Sequence, residues 1–442
     1  MAAAYQQPLH QQHSHKPSST YYYTSSAISL LGPRTVLAWL LSAVLCLALL
    51  HLLCCSQSQR GAAVSPLPHH NITAAYNQGA STTSGCDYSE GRWVWAPGHA
   101  RRYNGTECNV KGSENCVRNG RPDTGYLDWR WQPSAPRCPL PDFDAAAFLA
   151  AVRGRHVAFL GDSMARNQAE SLVCLLSSAS SSSFPYRMVY QDPEPGTRKF
   201  WRWAFPSHHV TVSVYWAPFL ARAAGKSENY SVPYNSVFLD ELAERWSADA
   251  DTMDVAVVSA GHWFWNPTVY YNGSEVLGTH QLSGLLNHTE IGFFSPYREA
   301  IRMTLRRLVG SARARTVVAA TFSPPHFEKA WDDPATCTRS SPYREGERDV
   351  DAMHAELRSI VREEAAAAAA RNVGGAATRV EVLDVTKLAT MRPDGHPGVY
   401  MKRDPFARGV PERLQSDCLH FCLPGPVDTF NQILLQILTK RQ

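Results

Sequence analysis

Short β-branched runs separated by helix-length stretches leave a chain few ways to fold. Five such runs occur here: RHVAFL (155–160), HVTVSVYW (209–216), DVAVVSA (254–260), RTVVAATF (315–322) and RVEVLDVT (379–386). Helical patterns fall between or after them, at about 163–176, 296–309, 348–371 and 427–439. This alternation predicts an α/β fold with a mostly parallel central sheet buried on both faces. A chain of 442 residues, 44% hydrophobic and 19% charged, can fill such a core. The serine run at 177–183 reads as a loop and the alanine run at 365–370 as the interior of a helix. No solenoid-type repeat competes with this reading.

Upstream, VLAWLLSAVLCLALLHLLCC (36–55) carries no formal charge over twenty residues. That is about what a helix needs to cross a bilayer core of roughly 30 Å. We read a transmembrane signal anchor at 35–55, after a disordered cytosolic tail at 1–34 and before a Ser-, Pro-, Gly- and Thr-rich stem at 56–84. A cleaved signal peptide is the competing reading; the length of the run and its long polar leader stand against it. Basic flanks at Lys16, Arg34 and Arg60 do not set the orientation.

The cysteines and sequons do. Of 11 cysteines, three (Cys46, Cys54, Cys55) lie in or at the end of the span, and the remaining eight are an even number, as a disulfide framework requires. Asn71, Asn104, Asn229, Asn272 and Asn287 each begin an N-x-[ST] sequon, whereas Asn266 is followed by Pro267. Together they place the C-terminal region in an oxidising, glycosylating lumen. Residues 85–140 hold four cysteines with little periodicity and read as a loop-rich, disulfide-tied accessory segment; a catalytic domain at 141–442 follows. No cysteine spacing matches a zinc site, so no metal is expected. The net charge of +4 with no dense basic block argues against a nucleic-acid partner.

Candidate chemistry sits at two distant places. FLGDSMARNQ (159–168) puts Ser163 directly after a strand and a Gly161-Asp162 turn, at the start of a helix. In an open parallel sheet, ligands bind beyond the carboxyl ends of the strands, and free helix N–H groups there suit an oxyanion. An Asp-Ser pair is also an ordinary helix N-cap. SDCLHFCLPG (416–425) supplies Asp417 and His420 three residues apart, so that on one turn the acid can orient the imidazole. A surface Asp/His pair is the plainer reading. Four Trp-x-Trp pairs (93/95, 129/131, 201/203, 263/265) serve either as sugar-stacking platforms on strands or as core. In SAGHWFW (259–265) a strand ending at Gly261 would bring His262 and Trp263 to the sheet edge that carries Ser163, as substrate contacts.

With these residues in view, GDSMARNQAESLVCLL (161–176), NGRPDTGYLDWRWQP (119–133), SAGHWFW and DCLHFCLPGPVDTF (417–430) resemble the plant trichome birefringence-like polysaccharide O-acetyltransferases from about Cys86 to the C-terminus. The resemblance implies an SGNH/GDSL-esterase-like sandwich in a single-pass type II Golgi membrane protein with its catalytic region in the lumen. It implies Ser163 as nucleophile, His420 as base then acid, Asp417 as its orienting partner and Asp162 as a turn-shaping residue. Arg166 and Asn167 are assigned to the oxyanion or acceptor environment, and Gln168 continues the same motif. The family pattern further implies the bridges Cys86–Cys138, Cys108–Cys174, Cys116–Cys422 and Cys337–Cys418.

No bound cofactor is expected; the acetyl donor, acetyl-CoA or an acetylated carrier, is a co-substrate, and the acceptor a hemicellulose. MRPDGHPGVYM (391–401) resembles the xyloglucan and mannan branch, which favours xyloglucan, with mannan second. A polysaccharide acetylesterase and a noncatalytic glycan-binding protein are the alternatives. Three departures from the family pattern stand out: Phe421 where tryptophan is frequent, Asp142 where arginine is usual, and no acid in WAPGHARRY (95–103).

Overall fold

The computed structural model describes residues 86–440 apart from 100–102, 105–107, 109–110, 178–184, 192–199, 312, 314, 334, 372–377, 410 and 412. The tail, anchor and stem, Asn71 and all but the first residue of the serine run lie outside the described residues. Among the described residues no helix is long and apolar enough to cross a membrane.

In chain order the elements are β1 (Gly91–Trp95), β2 (Trp129–Pro133), α1 (Ala145–Ala151), β3 (His156–Gly161), α2 (Ser163–Ser177), β4 (Arg187–Gln191), β5 (Phe200–Phe205) and β6 (Val210–Trp216). Then come β7 (Ala221–Gly225), β8 (Asn235–Leu242), α3 (Glu244–Ser247), β9 (Val255–Ser259), β10 (Thr268–Asn272), β11 (Glu275–His280) and α4 (Phe294–Val309). The chain ends with β12 (Thr316–Ala320), α5 (Ala352–Arg371), β13 (Arg379–Leu383), α6 (Thr386–Thr390) and α7 (Asp428–Thr439).

The five β-branched runs form the five parallel strands of a seven-stranded sheet ordered β13-β12-β9-β3-β6-β5-β4. Antiparallel β5 and β4 extend one edge, so the sheet is mixed. Period two sends alternate residues to opposite faces. Val157, Phe159, Val212, Val255 and Val257 pack beneath Phe148 of α1, Leu172 of α2 and Leu434 of α7. Ala158, Leu160, Ala256, Val258 and Val317 pack beneath Tyr297 and Leu305 of α4 and Leu357 and Ile360 of α5. Both faces are therefore covered, which is why these strands read as continuous apolar runs rather than alternating ones. Each buried Val or Leu contributes about 1.5–3 kcal/mol relative to exposure.

A second sheet, β11-β10-β8-β7, was not expected from the sequence. Its strand β7, ARAAG, has no β-branched residue, and pairing with β8 rather than propensity makes it a strand. The accessory segment is also more ordered than a loop-rich reading implies. Antiparallel β1 and β2 place Trp93 opposite Trp131 and Trp95 opposite Trp129, each pair meeting edge to face. Trp93 Nε1 donates to the Leu388 carbonyl at 3.0 Å, and the Arg392 guanidinium lies 4.3 Å from its ring, which docks the segment on α6.

The structure joins Cys86 to Cys138, Cys108 to Cys174, Cys116 to Cys422 and Cys337 to Cys418, the pairs the family pattern implies. Two of the departures from that pattern meet each other: His99 Nε2 lies 2.5 Å from Asp142 Oδ2 in an exposed pair. The third, Phe421, is fully buried and stacks on His396.

Candidate active site

β3 ends at Gly161, whose φ of +142° is left to glycine; a Cβ there would collide with the Ser259 carbonyl. The strand thus turns sharply and α2 begins at Ser163. Asp162, fully buried, shapes this turn: Oδ1 accepts from Met164 N–H at 3.0 Å, and Oδ2 from Gly261 and His262 N–H at 3.0 and 3.1 Å. Burial alone would raise its pKa, but the His262 ring and these amide donors outweigh it and hold the carboxyl below its usual range.

The Asp417 to His420 bend forms the second half. Asp417 Oδ1 accepts from the Leu419 and His420 amides at 3.0 and 2.9 Å, and Oδ2 faces His420 Nδ1 at 2.7 Å. A hydrogen on Nδ1 leaves Nε2 as the acceptor of the neutral imidazole. Nε2 is buried and has no partner among the described residues. Burial pushes Asp417 up, yet His420 and the two amides outweigh it, and the carboxyl is held well below the carboxylate range. Ser163 and His420 line one cavity of about 450 Å³, together with His262 and Trp263.

Long-range bonds fix the His420 loop against α2. Asn167 Nδ2 donates to the Phe421 carbonyl at 3.0 Å and its Oδ1 accepts from Phe421 N–H at 3.3 Å, so one carboxamide brackets the residue next to His420. Cys422 N–H donates to Gly395 O, and Leu423 N–H to Glu114 O. Arg166 donates to Glu114 Oε1 at 2.6 Å and Oε2 at 3.1 Å, and to Glu170 Oε2 at 3.2 Å. Burial raises Glu114, but Arg166 outweighs it and keeps it ionised; burial and the neighbouring Glu114 push Glu170 up.

The sequence assigns Arg166 and Asn167 to the oxyanion or acceptor environment, and the structure shows what each is bonded to. The Arg166 guanidinium touches the cavity but is committed to two carboxylates, and Asn167 does not line it. Gln168 faces away, with Nε2 3.3 Å from Asn431 Oδ1 on α7. His262 lines the cavity while its ring nitrogens face Ser323 O at 2.9 Å and Asp162 at 3.4 Å, so it braces the Asp162 turn. β9 stops at Ser259, and Trp263 and Trp265 lie on a 3-10 turn instead of a strand face. Of the paired tryptophans, 93, 131, 201, 203 and 263 are buried, and of these only Trp201 and Trp263 also line the cavity, which favours core for the other three.

Glu114, Lys111, Trp216 and Tyr230 escaped the sequence reading because nothing local marks them. Glu170 escaped it too, although its spacing was a usable signal: it stands seven residues from Ser163 and four from Arg166, on one helical face.

Behind the loop, Nδ1 of buried His326 and Nε2 of buried His396 lie 2.7 Å apart; His326 Nε2 faces Thr390 O, and His396 Nδ1 faces His420 O. Burial pushes His326 down to about 4 against the Thr390 carbonyl, with Arg348, His354 and Arg339 acting in the same direction; burial and His326 push His396 well below 6.5 against the His420 carbonyl and Asp417, with the His420 ring adding to the depression. A histidine neutral in the folded state and protonated in the unfolded chain stabilises fully above the unfolded pKa, and that stability is lost as pH falls toward the folded value. Urea unfolding is therefore expected to show a loss of about 3 kcal/mol from His326 between pH 6.5 and 4. A stability that is flat or rises on acidification across that window would refute a neutral His326 in the folded state.

Residues 140–437 match the PC-Esterase model, a GDSL/SGNH-like acyl-esterase family found in Pmr5 and Cas1p. The chain belongs to the PC-Esterase family. Its accessory segment, at 84–138, matches the PMR5 N terminal domain. Among PC-Esterase relatives, xyloglucan O-acetyltransferase 1 of Populus trichocarpa is 46% identical over 391 residues, 85% of this chain and 89% of the relative. Xyloglucan O-acetyltransferase 1 of Arabidopsis thaliana is 48% identical over 357 residues, 80% of each chain. Protein trichome birefringence-like 25 of Arabidopsis thaliana is 35% identical, covering 84% of this chain and 80% of the relative. The resemblance read from the GDS and Asp-x-x-His motifs is thereby the right one.

Proposed function

We propose that this chain is a xyloglucan O-acetyltransferase working through an acetyl-Ser163 intermediate. The observation that carries the reading is the meeting of Ser163 and His420 at one cavity, with Nδ1 of the imidazole facing Asp417 and Nε2 unpartnered among the described residues. The names of the relatives at 46% and 48% identity support xyloglucan over mannan as acceptor.

Ser163 Oγ attacks the donor's acetyl carbonyl while Nε2 of His420 takes its proton. The oxyanion forms at the positive, N-terminal end of α2. Collapse breaks the bond to the donor, and the leaving group takes the proton back from His420. A sugar hydroxyl then attacks the acetyl-Ser163 carbonyl and gives its proton to Nε2; collapse restores Ser163 with that proton and releases the O-acetyl sugar. Asp417 stays ionised and holds the imidazolium formed in each step. The donor, acetyl-CoA or an acetylated carrier, is a co-substrate. A Golgi type II topology with a lumenal catalytic region agrees with exposed sequon asparagines at 104, 229, 272 and 287 and with four bridges.

Full-length protein given labelled acetyl donor and xyloglucan, mannan or xylan oligosaccharides is expected to label xyloglucan, read by mass and NMR. Label found only as free acetate would replace the transferase by an esterase, the chemistry in the family's description. Label on mannan alone would move the acceptor.

A further inference from the structure

We propose that the loop 226–234, together with Trp263, forms a subsite for a neutral pyranose of the acceptor, next to the sugar that receives the acetyl group. The inference rests on the transferase reading for its substrate class and on separate residues for its geometry. Ser227 and Tyr230 line the same cavity as Ser163 and His420, but come from the second sheet, between β7 and β8.

Tyr230 is 74% exposed, an unusual position for a tyrosine in a loop so well tied. Lys226 N–H donates to Tyr234 O, the amides of Glu228 and Asn229 both donate to Gly225 O, and Val232 N–H donates to Asn229 O. The loop therefore holds the ring out without needing it for its own packing. That ring lies 5.9 Å from Trp263, and Trp216, at the end of β6, meets Trp263 edge-on at 5.7 Å. Three aromatic rings from three elements thus wall one side of a cavity that also holds the nucleophile.

Polar groups accompany them. Ser227 is 5% exposed and its Oγ has no partner among the described residues. Asn266 donates from Nδ2 to Trp263 O, while its Oδ1 receives no bond there. The cations Arg166 and Lys111 are matched by Glu114 and Glu170, and Glu228 of the loop adds a further carboxylate to the lining, so the cavity offers no surplus positive charge to an anion. Aromatic faces with a few unpaired hydroxyl and amide groups fit the C–H faces and hydroxyls of a neutral sugar ring.

The test is calorimetric titration of a xyloglucan-derived oligosaccharide into the full-length chain carrying Ser163→Ala, so that no turnover occurs. In that background Tyr230→Ala is expected to weaken binding at least tenfold, Ser227→Ala about threefold, and Tyr230→Phe less than twofold. The Tyr230 changes leave the Asn229 sequon intact. An affinity unchanged by Tyr230→Ala, an equal loss in Tyr230→Phe, or no binding by the parent overturns the subsite. The transfer assay judges the transferase reading separately: Tyr230-dependent binding by a protein that transfers no acetyl group would leave the subsite standing and remove that reading.

Discussion

Full-length protein carrying Ser163→Ala is expected to lose acetyl transfer by at least about 10⁴-fold while keeping its fold. The substitution removes one oxygen at the first residue of α2, and the helix needs nothing from that oxygen: the turn before it is held by Gly161 and by the buried Asp162 carboxylate. Its stability cost should fall within about 0.5 kcal/mol. Without the oxygen no acetyl-enzyme forms, and His420, though still held by Asp417, has no proton to take in the donor half-reaction. Two measurements check this. Mass spectrometry should find an acetyl group on Ser163 in the parent given donor alone and none in the variant. Residual transfer above about one hundredth of the parent would point to direct attack by the sugar and end the two-step mechanism.

Glu114→Ala is expected to destabilise the protein by about 3–5 kcal/mol and to depress transfer as well. Its carboxylate, fully buried, receives both Arg166 Nη atoms and Asn167 Nδ2 at 2.8 Å, and Lys111 Nζ lies 3.9 Å away. Without it the Arg166 guanidinium keeps only Glu170, whose own pKa is pushed up by burial, so a cation is left poorly paired in the interior. The damage reaches chemistry because Asn167 brackets the backbone beside His420 and Leu423 N–H rests on the Glu114 carbonyl. The double variant Glu114→Leu with Arg166→Met should be less destabilised than Glu114→Ala alone, since no buried charge is then stranded. Urea midpoints of the three proteins decide it; strictly additive losses would mean the cluster is not one electrostatic unit.

The parts legible in the sequence are those whose cause is local. β3, β9 and β12 were readable because a strand covered on both faces must be apolar at consecutive positions, and β6 and β13 because β-branched residues alternate along them. The Ser163 turn was readable because a strand, a glycine and a helix start follow one another within a few residues, and Asp417 and His420 because three residues span one turn. Strand β7 was not readable, since ARAAG becomes a strand only through β8. The contacts of Arg166 and Asn167 were unreadable for the same reason: Glu114 lies 52 residues from Arg166 and Phe421 254 from Asn167, and of their partners only Glu170, four residues from Arg166, is announced by spacing.

Sequence alone therefore determined the fold class, the turn that carries Ser163, and the pairing of Asp417 with His420, because each is set by backbone geometry within a single turn or strand. Tertiary structure alone decided which surface of the cavity is aromatic, that Arg166 is neutralised before any substrate arrives, and that His420 is braced from behind by two buried histidines. Those outcomes depend on which distant groups share a low-dielectric interior, where an unpaired charge is costly and its partner comes from a part of the chain that sequence order does not reveal.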